Sequence, residues 1–250
     1  MILLLGGTGE ARKIADRLEK RHVNVIISVT TGYGADLLVD LDVEVRQQKL
    51  ERGSLKALIG ERDIKTVIDA THPFARRITD LALAVCREMG VDYYRLERPE
   101  AERPQAGELI SVSDFREAAE KAEGYSRIFL TTGSGNLEKF VEAVGDPGAL
   151  YPRLLPLKKF VGRADKAGIP PENIIAMRGP FSREFNRALI EEYDFQLLIT
   201  KASGRTGGVR EKLKAAAEKN IPVIMVERPD FDYPQKADSV DELLEILEIN

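Results

Sequence analysis

Cysteine occurs once in this chain, histidine twice and tryptophan not at all. A single cysteine, Cys86, excludes an internal disulfide and any cysteine-built metal cluster. It lies in an apolar helical stretch with Leu81, Leu83, Ala84 and Val85, the setting of a small core residue. Two histidines are too few for a histidine-rich metal site, so no metal is expected. No run approaches the roughly 20 apolar residues that a membrane span needs. The short apolar run at the N-terminus has no basic segment ahead of it, and it reads as a first strand rather than a signal peptide. Neither sign of charge dominates: 37 Lys and Arg against 41 Asp and Glu leave a formal net charge of -4, which argues against a nucleic-acid partner. These absences leave a cytoplasmic globular protein with neither nucleic acid nor membrane as partner. No oligomeric state follows from them.

What is present begins at the N-terminus. Ile2-Leu3-Leu4-Leu5 is a strand-sized apolar run that stops in Gly6-Gly7-Thr8-Gly9-Glu10-Ala11-Arg12. A buried strand that ends in glycines and feeds directly into a helix presents backbone N–H groups to a phosphate, and the helix N-terminus adds about half a unit of positive charge. The strict G-x-G-x-x-G pattern is not met, because Ala11 or Arg12 stands where a third glycine would allow close helix–strand packing. Gly6, Gly7, Thr8, Gly9 and Glu10 are the candidate residues for a dinucleotide's pyrophosphate; a plain tight turn is the other reading.

Short β-branched or leucine-rich runs alternate with amphipathic stretches through the rest of the chain. Strands are expected over 23–29, 43–46, 66–70 and 93–96. Helices are expected over 10–20, over 55–59 behind an N-cap at Ser54, and over 73–89 with Pro73 in the first turn. Residues 97–107 are charged, proline-bearing and without periodicity, as a boundary would be. Beyond them strands are expected over 109–112, 127–130, 150–154, 174–177, 197–200 and 223–226. Helices are expected over 182–193 and 209–219, with a last one opening on the capping box Ser239-Val240-Asp241-Glu242. Such alternation predicts an α/β protein of two Rossmann-like domains with parallel sheets, residues 1–100 and 101–250, and the interdomain cleft as its natural site. The first domain would bind the dinucleotide and the second the substrate.

The carboxyl ends of the strands carry the other candidates. The second strand runs into Thr30 and Thr31 with no carboxylate, so NADPH is favoured over NADH; threonines can donate to a 2′-phosphate and Arg12 can pair with it. The fourth runs into Asp69-Ala70-Thr71-His72-Pro73-Phe74, which places Thr71 and His72 near the nicotinamide, with His72 a candidate general acid or a simple helix cap. In the second half, Thr200-Lys201-Ala202-Ser203-Gly204-Arg205 opens a glycine-rich anion cradle, and Arg178-Gly179-Pro180-Phe181-Ser182 holds an arginine fit for a carboxylate. Arg153, between prolines, is a weaker cation of the same kind. No Ser-His-acid order, zinc spacing or carboxylate pair stands out, which suits an enzyme whose cofactor carries the chemistry.

Taken in order, Gly6-Gly7-Thr8-Gly9-Glu10-Ala11-Arg12, Thr71-His72-Pro73-Phe74-Ala75, Arg178-Gly179-Pro180-Phe181 and Thr200-Lys201-Ala202-Ser203-Gly204 resemble the motifs of precorrin-6A reductases, a family that includes the cobalt-precorrin-6A reductases of anaerobic cobalamin synthesis. The resemblance runs through nearly the whole chain. It implies reduction of one macrocycle double bond by NADPH or NADH, giving (cobalt-)precorrin-6B, and two Rossmann-like domains with the corrinoid between them. Because that substrate is a flat apolar ring bearing several carboxylates, it implies Arg178, Phe181, Ser182, Lys201, Ser203, Gly204 and Arg205 as its contacts. Phe74 with Arg76 or Arg77 would contribute from the first domain. A non-catalytic nucleotide- or tetrapyrrole-binding protein stays open beside this reading. So does a Rossmann-like methyltransferase, disfavoured by the missing acidic residue after the second strand.

Overall fold

The structure, a computed structural model, describes residues 1–97, 99, 107–204 and 207–249. Its contacts divide the chain into two compact units, residues 1–99 with 230–250, and residues 100–229. The sequence reading carries the second unit to residue 250; by contact, 230–250 groups with the first.

The first unit runs β1 (Ile2–Leu5), α1 (Gly9–Lys20), β2 (Val25–Val29), α2 (Gly32–Asp36), β3 (Glu44–Gln47), α3 (Arg52–Glu61), β4 (Thr66–Asp69), α4 (Arg76–Met89) and β5 (Asp92–Leu96). The second runs β6 (Leu109–Val112), α5 (Phe115–Glu120), β7 (Ile128–Leu130), α6 (Leu137–Val144), β8 (Leu150–Leu154), α7 (Lys158–Lys166), β9 (Ile175–Ala176), α8 (Arg183–Glu192), β10 (Leu197–Lys201), α9 (Val209–Glu218) and β11 (Val223–Val226). The chain then supplies β12 (Lys236–Ala237) and α10 (Val240–Ile246), and β12 pairs with β5.

Each unit is built on a 6-stranded sheet, ordered β12-β5-β4-β1-β2-β3 in the first and β6-β11-β10-β7-β8-β9 in the second. Every pairing is parallel. A parallel sheet is covered on both faces, which is why β1 is apolar at every position and buried throughout. Its alternate side chains feed two cores. Leu4 packs with Ile14 and Leu18 of α1 and with Leu243 and Leu244 of α10; Leu3 and Leu5 pack with Leu55 of α3 and Val85 of α4. Burying each such side chain contributes roughly 1.5–3 kcal/mol. In both sheets the direction of winding reverses once, between β1 and β4 and between β7 and β10. In open sheets that reversal leaves a crevice at the carboxyl ends of the two strands.

The α/β class and the alternation agree with the sequence reading, and two helix starts do not. Pro73 lies ahead of α4 rather than in its first turn. Residues 72–75 close a turn instead, with Ala75 N–H donating to His72 O at 2.7 Å, and the helix begins at Arg76. Ser54 does not cap α3. Glu51 is the N-cap, and Ser54 is the third helical residue, whose hydroxyl accepts from Glu51 N–H at 2.9 Å. A serine that bonds backward within a helix start satisfies the same orphan group from the other side. Among the described residues no helix is long and apolar enough to cross a membrane.

Candidate functional site

The reversal between β1 and β4 is bridged by one threonine. Thr8 Oγ1 accepts from Ala11 N–H at 3.1 Å, capping α1, and donates to Ala70 O at 2.8 Å, so the turn after β1 is pinned to the end of β4. Ala70 N–H donates in turn to Leu5 O at 3.0 Å. Gly7 has φ +104°, where side chains are rarely accommodated, and a Cβ on Gly34 would lie 3.2 Å from Gly7 Cα, so α2 starts against the turn with no room between. A Cβ built on Gly7 or Gly9 would meet nothing within 4 Å, so space lies open in front of the turn. The opening N–H groups of α1 have no acceptors inside the helix and carry its positive dipole end. The turn therefore fits a diphosphate on both shape and charge.

The neighbouring candidates divide. Glu10 is half-buried in the first turn of α1. Thr30 is exposed at the end of β2, while Thr31 caps α2 by accepting from Gly34 N–H at 3.1 Å. The Arg12 guanidinium grips Asp40 with both nitrogens, at 2.5 and 2.6 Å, and also donates to Leu37 O. That bidentate bond holds the Asp40 carboxyl below its usual range. Sequence reasoning missed Asp40, which lies 28 residues from Arg12 in a stretch without periodicity.

β4 ends in a buried charge. Asp69 is 0 % exposed, and its Oδ1 accepts from Thr71 N–H at 2.9 Å, Thr71 Oγ1 at 2.6 Å and Arg95 at 2.8 Å. Its Oδ2 accepts from Thr79 Oγ1 at 2.7 Å and Tyr93 OH at 2.8 Å. Arg95 is 1 % exposed, donates to Thr71 O at 3.2 Å and lies 5.7 Å from the centre of the Tyr233 ring. Burial first, and then the field of Asp69, push the Tyr93 phenol far up, so it stays a donor. The whole constellation clamps Thr71 at the strand end. His72 follows, its Nδ1 accepting from Phe74 N–H at 3.1 Å, with the Phe74 ring 5.8 Å away. That bond assigns the neutral ring its proton on Nε2. Arg76 lies on the exposed side of α4, and Arg77 donates to Leu50 O at 2.9 Å.

At the reversal of the second sheet the strand ends are cationic. Leu130 of β7 stands opposite Pro152 of β8 and Ile199 of β10, so the next row across the sheet is Arg153, Thr131 and Thr200. Arg153 is buried, with its guanidinium between the rings of Phe129 at 5.0 Å and Phe181 at 4.2 Å, and burial pushes its pKa down to about 10. Lys201 ends β10, and burial lowers it to about 8. Lys212, from the inner face of α9, is lowered to about 7, by burial first and then by Arg153 and Lys201, with Glu211 opposing. Ser203 is buried against the backbone of Gly207, where a Cβ would come 1.9 Å from its Oγ, and Gly204 has φ +79°. Arg178 is exposed after β9, Phe181 is half-buried, and Ser182 caps α8 by accepting from Phe185 N–H at 3.1 Å. Arg205 lies outside the described residues. Sequence reasoning missed Lys212. A signal was available: Val209, Lys212, Leu213 and Ala216 share one helical face, so the lysine holds an inward position among apolar ones.

A cavity of about 250 Å³ in the first unit is lined by Leu83, Cys86, Val91, Tyr94 and Pro234, among others. It lies at the amino end of β5, away from the strand ends where ligands of such sheets bind. Burial raises the Cys86 thiol there to about 12, which keeps it protonated and inert. No group of His, Cys, Asp and Glu able to hold a metal occurs among the described residues.

Residues 1–248 match the family described as precorrin-6x reductase CbiJ/CobK. Among its relatives, the cobalt-precorrin-6A reductase of Methanocaldococcus jannaschii is 37% identical over 98% of this chain and 97% of its own length. That of Priestia megaterium is 35% identical over 99% and 98%, and that of Salmonella typhimurium 34% over 91% and 87%. A solved structure of CobK precorrin-6A reductase superposes with a TM-score of 0.79 at 23% identity, covering 99% of this chain and 95% of that one, which bears on the fold alone.

Proposed function

Because the chain belongs to the precorrin-6x reductase family, we propose that it reduces one carbon–carbon double bond of (cobalt-)precorrin-6A to give (cobalt-)precorrin-6B, with NADPH as reductant and NADH as the second nucleotide. It is a reductase of cobalamin biosynthesis acting on a CH–CH group of the macrocycle. The observation that carries the cofactor reading is the turn after β1, open in front of Gly7 and Gly9 and pinned to β4 through Thr8. When bound, the reduced nicotinamide supplies the hydride.

This chain's residues would do the rest. Backbone N–H groups at Gly7 to Glu10 hold the diphosphate, and Thr30 and Thr31 lie where the adenosine ribose is expected, with no carboxylate there to repel a 2′-phosphate. Arg12 reaches such a phosphate only by exchanging it for Asp40. Thr71, clamped by Asp69 and Arg95, and His72 place the nicotinamide. With Nδ1 already accepting from Phe74, His72 suits the role of an orienting Nε2–H donor; acting as an acid requires an imidazolium that breaks this bond. Lys201 and Arg178 of the second unit, with the Phe181 ring that lies against Arg153, offer the apolar surface and scattered positive charge that a flat polycarboxylate needs.

The test is anaerobic incubation with precorrin-6A, and in parallel with its cobalt form, while nucleotide absorbance and the corrinoid spectrum are followed together. The expected result is one nucleotide oxidised per macrocycle reduced, with a higher kcat/KM for NADPH than for NADH. A spectral shift without nucleotide consumption would mark a carrier and overturn the reductase reading.

A further inference from the structure

The second unit buries Arg153 and Lys212, yet among its described residues no Asp or Glu is buried with them. The first unit does the opposite, closing Arg95 on Asp69. Lys212 is 4 % exposed, on the face of α9 that also buries Val209, Leu213 and Ala216, and among the described residues neither a hydrogen bond nor an ion pair reaches its ammonium. The Thr200 hydroxyl, 0 % exposed, is likewise without a partner. Thr200 and Arg153 stand in one row of the sheet, two strands and so about 10 Å apart. They face the side covered by α8 and α9, because Leu198 and Ala202, two residues either side of Thr200, join Val209 and Leu213 in one core. Arg153 donates to Asn186 Oδ1 at 2.8 Å, which fixes the guanidinium without neutralising it.

Two buried cations that repel each other, with an unmatched hydroxyl in the same row of the sheet as one of them, cost stability: Asn186 and the rings of Phe129 and Phe181 hold Arg153 in place, but no buried carboxylate among the described residues of this unit supplies a counter-charge. Such an arrangement is retained where a ligand brings the missing charge. We propose that Arg153, Thr200 and Lys212 form an inner seat for one carboxylate of the corrinoid substrate. The chemistry matches: a carboxylate accepts from an ammonium, a guanidinium and a hydroxyl at once, and ionic hydrogen bonds of this kind are about twice as strong as neutral ones. This inference rests on the reductase reading, which assigns the diphosphate of the nucleotide to the first unit and leaves carboxylates as the anions for the second.

The experiment compares wild type with Lys212→Met and Thr200→Val in the anaerobic reduction, varying macrocycle and nucleotide separately. It also records thermal unfolding with and without macrocycle in the absence of nucleotide. For Lys212→Met the expected result is a macrocycle KM raised roughly ten- to hundredfold, a nucleotide KM unchanged, a higher Tm without ligand, and loss of the Tm increase that macrocycle gives the wild type. Thr200→Val, nearly the same shape, is expected to raise macrocycle KM about two- to tenfold. An unchanged macrocycle KM in Lys212→Met overturns the seat. So does a lower Tm, which would make the lysine part of the scaffold, and so does a raised nucleotide KM, which would move the site to a phosphate. Should Lys212→Met fail to fold, an unchanged macrocycle KM in Thr200→Val overturns it alone. A wild type that neither binds nor reduces the macrocycle removes the reductase reading instead, a distinguishable failure.

Discussion

Asp69 and Lys212 are both charges taken out of water, and they are treated in contrary ways. Asp69 has every lone pair engaged, by Thr71, Thr79, Tyr93 and Arg95, and so behaves as a structural tie. Asp69→Asn keeps the volume but leaves Arg95 buried without a counter-charge. The expected cost is about 3–5 kcal/mol, measured by denaturant unfolding and accompanied by a loss of nucleotide affinity because Thr71 is no longer clamped. Wild-type stability in this variant would show that the pair is neutral to the fold. Half of this tie is legible in the chain: Asp69, Thr71 and His72 are near neighbours after an apolar run, and the strand end predicts a polar cluster there. Arg95 is not legible, because it sits 26 residues on and meets Asp69 only through the register of β4 with β5.

Elements with a local cause are the ones that sequence reading finds. The glycine turn, α1 and α9 follow from chemistry within a dozen residues, and α10 begins at its capping serine. β12 escapes notice because its two residues, Lys236 and Ala237, show no alternation and exist as a strand only beside β5. α2 escapes because Gly32-Tyr33-Gly34 reads as a loop; it is helical because Thr31 caps it and Gly34 fits against Gly7. That fit is testable. In Gly34→Ala the new Cβ would lie 3.2 Å from both Gly7 Cα and Val29 Cβ, tighter than nine in ten such contacts, so the turn or β2 must give by a few tenths of an ångström. The expected result is a loss of about 1–3 kcal/mol in stability and a nucleotide KM that rises more than the macrocycle KM. Equal changes in the two constants would mean that the turn does not seat the nucleotide.

At the scale of the molecule, the two sheets share one strand arrangement, a central reversal with three strands on each side of it. The rim strand of the second sheet, β6, precedes the rest of its unit in the chain, whereas that of the first, β12, comes from residues 236–237 after the second unit is complete. Alternating runs predict the strands of both sheets, yet nothing local says that residues 230–250 group with the first unit; that follows from β12 pairing with β5 and from Leu243 and Leu244 packing with Leu4 and Ile14. A chain ending at residue 229 is therefore expected to lose hydrogen-exchange protection in β5, β4 and α1 while β7, β10 and β11 keep theirs. Uniform loss across both sheets would contradict this division of labour.

The late position of β12 also sets a timetable for synthesis. The ribosome releases β5 about 140 residues before its partner is made, and at roughly 5–20 residues per second that interval is on the order of ten seconds. Throughout it, the rim of the earliest-made sheet carries unpaired backbone groups and the apolar flank that Leu243 and Leu244 later cover. The glycine turn after β1 is thus synthesised well before the sheet behind it is sealed, and the making of residues 236–246 is the step that closes the first unit.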